Sequence, residues 1–101
     1  MITVNKTYKR FGKYFLSITI MPDTDLKSPL VLRCYRWWDK DQNASQDPPV
    51  NRLNLDYDLT TDTLYDVKYT VGSIPEDIRT LELGVVKEGE QWYWLTNVLI
   101  N

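Results

Sequence analysis

Tyr14-Phe15-Leu16-Ser17-Ile18-Thr19-Ile20 is the stretch that decides the fold class. Tyr14, Leu16, Ile18 and Ile20 alternate with Phe15, Ser17 and Thr19, and a period of two sends successive side chains to opposite faces of a strand. The first set is wholly apolar, so this strand lies on a core. Pro22 ends it, because proline cannot donate to a sheet ladder.

The same period recurs on both sides. Ile2, Val4, Lys6 and Tyr8 make a short preceding strand, with Phe11-Gly12 as the turn. After a loop over 23–29, Leu30 to Trp37 places Leu30, Leu32 and Cys34 on one face and Arg33, Tyr35 and Trp37 on the other. A long polar loop over 39–49 follows. Leu53, Leu55, Tyr57 and Leu59 then alternate with Asn54, Asp56 and Asp58, giving a buried face and an acidic one. Tyr65, Val67, Tyr69 and Val71, and later Leu81, Leu83 and Val85, form two more inward sets. Gly72 to Asp77 separates them, with room for one helical turn capped by Ser73. Lys87-Glu88-Gly89-Glu90 reads as a hairpin loop. The segment from Trp92 to Ile100 is apolar on both faces, as a central or a bulged strand would be.

Composition agrees with this reading. The chain has a single alanine against seven Tyr and four Trp, and aromatic and β-branched residues suit a pleated surface better than a helix. With 101 residues there is room for one domain. One-sided strands must bury their apolar faces against each other, so the expected fold is all-β, an antiparallel β-sandwich of about seven to eight strands over residues 1–101.

The formal net charge of −2, with both signs interspersed, lacks the basic stripe that phosphate binding needs and points to no nucleic-acid partner. Lys6, Lys9, Arg10 and Lys13 do cluster, in what reads as a solvated first hairpin. No apolar run is long enough for a transmembrane helix. A lone Cys34 allows no internal disulfide and suits a reducing compartment, so a cytoplasmic location is expected. Two glycosylation sequons, beginning at Asn5 and Asn43, carry little weight in that setting.

Chemistry is bounded mainly by what is missing. The chain contains no histidine, which removes Ser-His and Cys-His pairs, histidine-ligated zinc and the usual neutral-pH acid–base group. The scattered glycines form no phosphate loop. Carboxylate pairs exist at Asp23/Asp25, Asp56/Asp58 and Glu88/Glu90, spaced as solvated strand or loop residues are. Asp39-Lys40-Asp41-Gln42-Asn43 begins like a calcium loop, but Ala44 stands where the turn needs Gly and Val50 where a bidentate Glu belongs. Asp23, Asp25, Asp39 and Asp41 could still pool at one end of a sandwich; the plainer reading is Asp-rich soluble loops. No enzyme, no cofactor and no metal are expected.

The aromatic clusters are the most informative local feature. Trp37-Trp38 and Trp92-Tyr93-Trp94 set large rings at neighbouring positions, which on a strand point opposite ways. With Trp38 as the core member of its pair, Arg33, Tyr35 and Trp37 form a partly exposed basic-aromatic strip. Such strips anchor interfaces, where Trp, Tyr and Arg are enriched. In the competing reading one Trp of each pair fills the core and the other packs beneath a loop or along a sheet edge. The candidate binding residues are Arg33, Tyr35, Trp37, Trp38, Trp92 and Trp94. Since this reading turns Trp37 outward, its replacement by Ala is expected to cost little stability.

Tyr93, Leu95, Val98 and Ile100 resemble the closing strand of PLAT/LH2 β-sandwich domains, with Tyr93 where that family usually has Trp. Asp62 to Val67 and Ile78 to Leu83 are similar to two of its earlier strands. The resemblance implies a sandwich and a docking role. The glycines of that family's first loop are missing, so it implies no calcium site.

The function expected is therefore a binding module that engages a macromolecule through exposed aromatics. A protein partner is expected first, with a glycan or lipid surface also open. The alternatives are a small intracellular antagonist of the viral or mobile-element kind, presenting Asp56 and Asp58 to a basic partner, and an assembly subunit or homo-oligomer paired through an edge strand.

Overall fold

A computed structural model describes residues 1–87, 89 and 91–100. Eight strands run in chain order: β1 (Ile2–Arg10), β2 (Lys13–Ile20), β3 (Leu30–Asp39), β4 (Ala44–Gln46), β5 (Leu53–Leu55), β6 (Tyr65–Gly72), β7 (Ile78–Val86) and β8 (Trp92–Leu99). They form two antiparallel sheets, one of three strands in the order β1-β2-β6 and one of five in the order β4-β3-β7-β8, with β5 also on β3. The expected sandwich is what the chain builds.

Local chemistry sets these elements. Phe11 and Gly12 both have positive φ, 52° and 76°, as the two central residues of the commonest two-residue hairpin turn must. Along β2 the inward set Tyr14, Leu16, Ile18 and Ile20 is buried, and it meets Val67, Tyr69 and Val71 of β6 in the core. Leu30, Leu32, Leu81, Leu83 and Val85 line the facing sheet. Tyr69 is buried with its hydroxyl donating to the Asn51 carbonyl, so a polar tip enters the core already satisfied. Burial pushes the pKa of that hydroxyl well above the ordinary tyrosine value.

Three segments depart from the expected layout. The polar loop after β3 turns tightly, because the Asp39 carboxylate accepts from the backbone N–H groups of Asp41 and Asn43 at 2.9 Å each. The chain thus returns early enough for Ala44–Gln46 to pair with Arg36–Trp38. The run from Leu53 to Leu59 is not one strand. It leaves β3 after Leu55, and Leu59 instead exchanges two 2.9 Å backbone bonds with Leu26. Tyr57 turns outward and stacks on Tyr65 at 5.8 Å. Gly72 to Asp77 holds no helical turn; Ile78 N–H closes a turn on the Pro75 carbonyl at 3.1 Å.

Aspartates staple these loops. Asp25 accepts from the Thr61 backbone N–H and hydroxyl, and Asp58 from the Ser28 N–H. Those bonds, with the Asn43 and Asp41 N–H bonds to Asp39, hold all three carboxyls below their ordinary pKa. A depressed native pKa gives stability that is complete above the unfolded value of about 4 and is lost as pH falls through the native values. The urea midpoint should therefore hold from neutral pH down to about pH 5 and drop as pH falls further. Asp58→Asn should lower the neutral midpoint and flatten the decline; an unchanged acid slope in that variant would contradict the assignment.

Candidate functional site

The outward face of the five-stranded sheet is organised by a bulge. Cys34 pairs with Leu83 and Arg36 with Glu82, so Tyr35 is an extra residue in β3. One extra residue exchanges inward and outward positions for everything beyond it. Leu30, Leu32 and Cys34 face the core before the bulge, and Trp37, 8% exposed, faces it after. The expectation that Trp37 points outward is thus overturned. Trp38 takes the outward place, half-buried, together with Arg36.

Four of the six candidate residues come together there. The Tyr35 and Trp92 rings meet edge to face with centroids 4.9 Å apart. The Arg33 guanidinium lies 5.3 Å from the Trp92 ring. Arg36, which the alternation assigned to the core side, bridges the Tyr35 ring at 4.7 Å and the Trp38 ring at 5.4 Å. The result is a continuous strip, Trp92–Arg33–Tyr35–Arg36–Trp38, crossing the sheet. Each cation–ring contact contributes about 0.5–2 kcal/mol, so the strip is held in one arrangement before any partner arrives.

Both arginines also meet carboxylates. Arg33 Nη2 is 2.9 Å from Asp47 Oδ1, an exposed pair worth at most about 1 kcal/mol. Arg36 Nε and Glu82 Oε1 are 2.7 Å apart and shielded from water, without the alignment of a hydrogen bond and, among the described residues, with no other hydrogen-bond partner at either atom. Each offsets the other's charge, so removal of either side chain would leave an uncompensated charge shielded from water. Beneath the strip the Cys34 thiol is buried, its pKa pushed up to about 12 mainly by loss of water, and Sγ donates to the Arg36 carbonyl at 3.2 Å. It is poorly placed to act as a thiolate.

Gly84 makes room for the strip. It sits opposite Arg33, and a Cβ there would lie 2.9 Å from Trp92 Cε3 and 2.7 Å from Leu95 Cδ2. With no side chain in the way, the Trp92 ring crosses β7 and reaches β3. A glycine inside a strand pattern is the signal that could have revealed this close approach. For Arg36 the signal was a guanidinium at a nominal core position, which a pairing without a bulge cannot accommodate.

Trp94 goes elsewhere. Leu83 pairs with Thr96 and Val85 with Tyr93, leaving Trp94 and Leu95 opposite Gly84 as a second bulge. Trp94 adopts φ 57°, and its indole N–H donates to Asp23 Oδ1 at 2.9 Å. Its ring therefore lies at the corner between the sheets, beside Met1, Met21 and Leu95, not on the strip. β8 is an edge strand; its apolar outer positions come from the bulge and leave Leu99 80% exposed.

The other carboxylates singled out are spread over separate loops. Asp23 is engaged by Trp94, Asp25 by Thr61, Asp39 by its own turn and Asp58 by Ser28. Glu88 and Glu90 lie outside the described residues. Among the described residues no three His, Cys, Asp or Glu side chains group as metal ligands. Comparison with protein-family models, curated proteins and solved structures finds no match.

Two outcomes follow from the bulges. Trp37→Ala should cost about 3–5 kcal/mol in urea denaturation, as core aromatic truncations do. Trp38→Ala should cost under ~1.5 kcal/mol; comparable losses would place both rings in the core. Gly84→Ala should cost about 1–3 kcal/mol from overpacking and weaken the near-ultraviolet circular dichroism of the Tyr35–Trp92 pair. An unaltered aromatic spectrum would show that Trp92 does not depend on the glycine.

Proposed function

We propose that the protein is a non-enzymatic binding module that docks a protein partner on the outward face of its five-stranded sheet. The observation that carries this reading is the contiguous Trp92–Arg33–Tyr35–Arg36–Trp38 strip. Trp, Tyr and Arg are the residue types that dominate interface energetics, and a strip already held by ring and ion-pair contacts loses little entropy when it docks.

Its chemistry favours protein over the other partners. Asp47 and Glu82 offset the two guanidinium charges, so the strip exerts little pull on an anionic lipid surface. Arg33 and Arg36 cover ring faces that a sugar would otherwise stack on. The acidic-face alternative has less support, because the Asp58 carboxylate is engaged by the Ser28 N–H and by Lys27. The resemblance of the C-terminal strands to PLAT/LH2 domains points the same way, toward a docking sandwich.

The test is a titration with a purified partner, first identified by affinity capture from the native source. Trp38→Ala and Trp92→Ala should each weaken binding at least about tenfold, roughly 1.4 kcal/mol or more. A double Lys6→Glu/Lys9→Glu change, far from the strip, should leave affinity unaltered. A partner indifferent to both ring substitutions would overturn the proposal, as would self-association through this face in sedimentation experiments.

A further inference from the structure

The β1–β2 hairpin segregates charge in a way the whole-chain balance conceals. Residues 1–22 contain Lys6, Lys9, Arg10 and Lys13 and no Asp or Glu. Removing those four positive charges from the net −2 leaves −6 on the rest of the chain. The fold adds a fifth cation: Lys6 pairs with Ser17, and Ser17 with Lys68 of β6, so Lys68 lies on the same outward face. All five are exposed, and none is in an ion pair with a carboxylate among the described residues.

At the tip, between Arg10 and Lys13, stands Phe11. It is 93% exposed, the most exposed large apolar side chain among the described residues, and holds φ 52°, a region that aromatic residues rarely occupy. Phe11 thus gains almost no burial in the fold and takes an unfavourable backbone conformation. Such a combination asks for a contact outside the chain.

We propose that this hairpin docks on an anionic lipid bilayer, with Phe11 entering the boundary between headgroups and acyl chains and the five cations lying among the headgroups. The order of the groups fits a planar layered target: an apolar tip ahead, Arg10 and Lys13 directly behind it, Lys6, Lys9 and Lys68 further back. A nucleic acid fits less well, since the rings that would stack on bases are already engaged. Tyr8 stacks on Phe15 at 5.3 Å with Lys6 over its ring, and Lys9 lies over Tyr14. Repulsion of the acidic remainder from the same surface would orient the molecule hairpin-first.

Co-sedimentation of the protein with lipid vesicles at low salt tests this. Binding should require phosphatidylserine, be absent with phosphatidylcholine alone, and fall as salt is raised. Each basic residue near an anionic surface strengthens binding about fivefold, so Arg10→Glu/Lys13→Glu should reduce partition more than about 25-fold. Phe11→Ala should reduce it about tenfold, and Phe11→Trp should give a blue-shifted emission quenched by brominated acyl chains. Circular dichroism confirms that these exposed-site variants fold. The proposal is overturned by no partition into phosphatidylserine vesicles, by partition indifferent to either set of changes, or by tighter binding to a single-stranded oligonucleotide than to vesicles.

Discussion

Tyr35 is the extra residue between two cross-strand pairs of β3 and β7, and the character of both faces of the larger sheet follows from it. Without it, strict alternation would carry Arg36 inward among Leu30, Leu32 and Leu83. An unpaired guanidinium there would cost several kcal/mol, against about 1 kcal/mol for a disturbed ladder hydrogen bond. The comparison favours the bulge heavily. The bulge also keeps its polar groups satisfied: the Tyr35 carbonyl accepts from Asp47 N–H at 3.1 Å, and the Arg36 carbonyl from Cys34 Sγ. Arg36 then emerges beside Glu82, and Trp37 takes the core position that Arg36 could not fill.

A second two-against-one pairing, on β8, shapes the same face from the other side. Its extra residue lets Trp94 turn into the corner between the sheets, where the bond to Asp23 and the Thr96 hydroxyl bond to the Ile2 carbonyl tie the edge of one sheet to the other. Trp92, kept on the outer side, needs a path across β7, and Gly84 supplies it. The bulges in β3 and β8 therefore act together: one brings Tyr35 and Arg36 to the surface, the other leaves Trp92 free to meet them.

The sandwich was legible because alternation is a one-strand property. Each of β2, β6 and β7 states its buried face within eight or nine residues, and each faces inward as read. The strip was legible in kind but not in membership. Alternation turns Arg33 and Tyr35 outward, as the structure does, but leaves open which of the rings from Trp92 to Trp94 faces out, and the two Trp of β3 exchange roles. Which of two adjacent rings enters a core depends on register with a partner strand, and a bulge belongs to the pair and not to either sequence alone. The bend after Leu55 was hidden for a similar reason. Tyr57 continues the alternation in sequence, yet Leu59 pairs with Leu26, a partner more than thirty residues away.

The two candidate surfaces obey different physics, and the fold separates them. Among the described residues the cations of the hairpin lack carboxylate partners, so their attraction reaches about a Debye length of 8–10 Å and weakens with salt. The strip carries guanidinium charges already matched by Asp47 and Glu82, so a partner docked there would be held by close packing, with little dependence on salt. In a two-layer sandwich the outward faces of the sheets point away from each other. Lys6, Tyr8, Phe15 and Lys68 lie on one, and the Trp92–Trp38 strip on the other. A molecule held to an anionic surface by the first would therefore keep the second turned toward solvent, open to a protein partner. The two contacts would add without competing, and a ligand for one face would leave affinity at the other unchanged unless it altered the core that Tyr69 and Trp37 share.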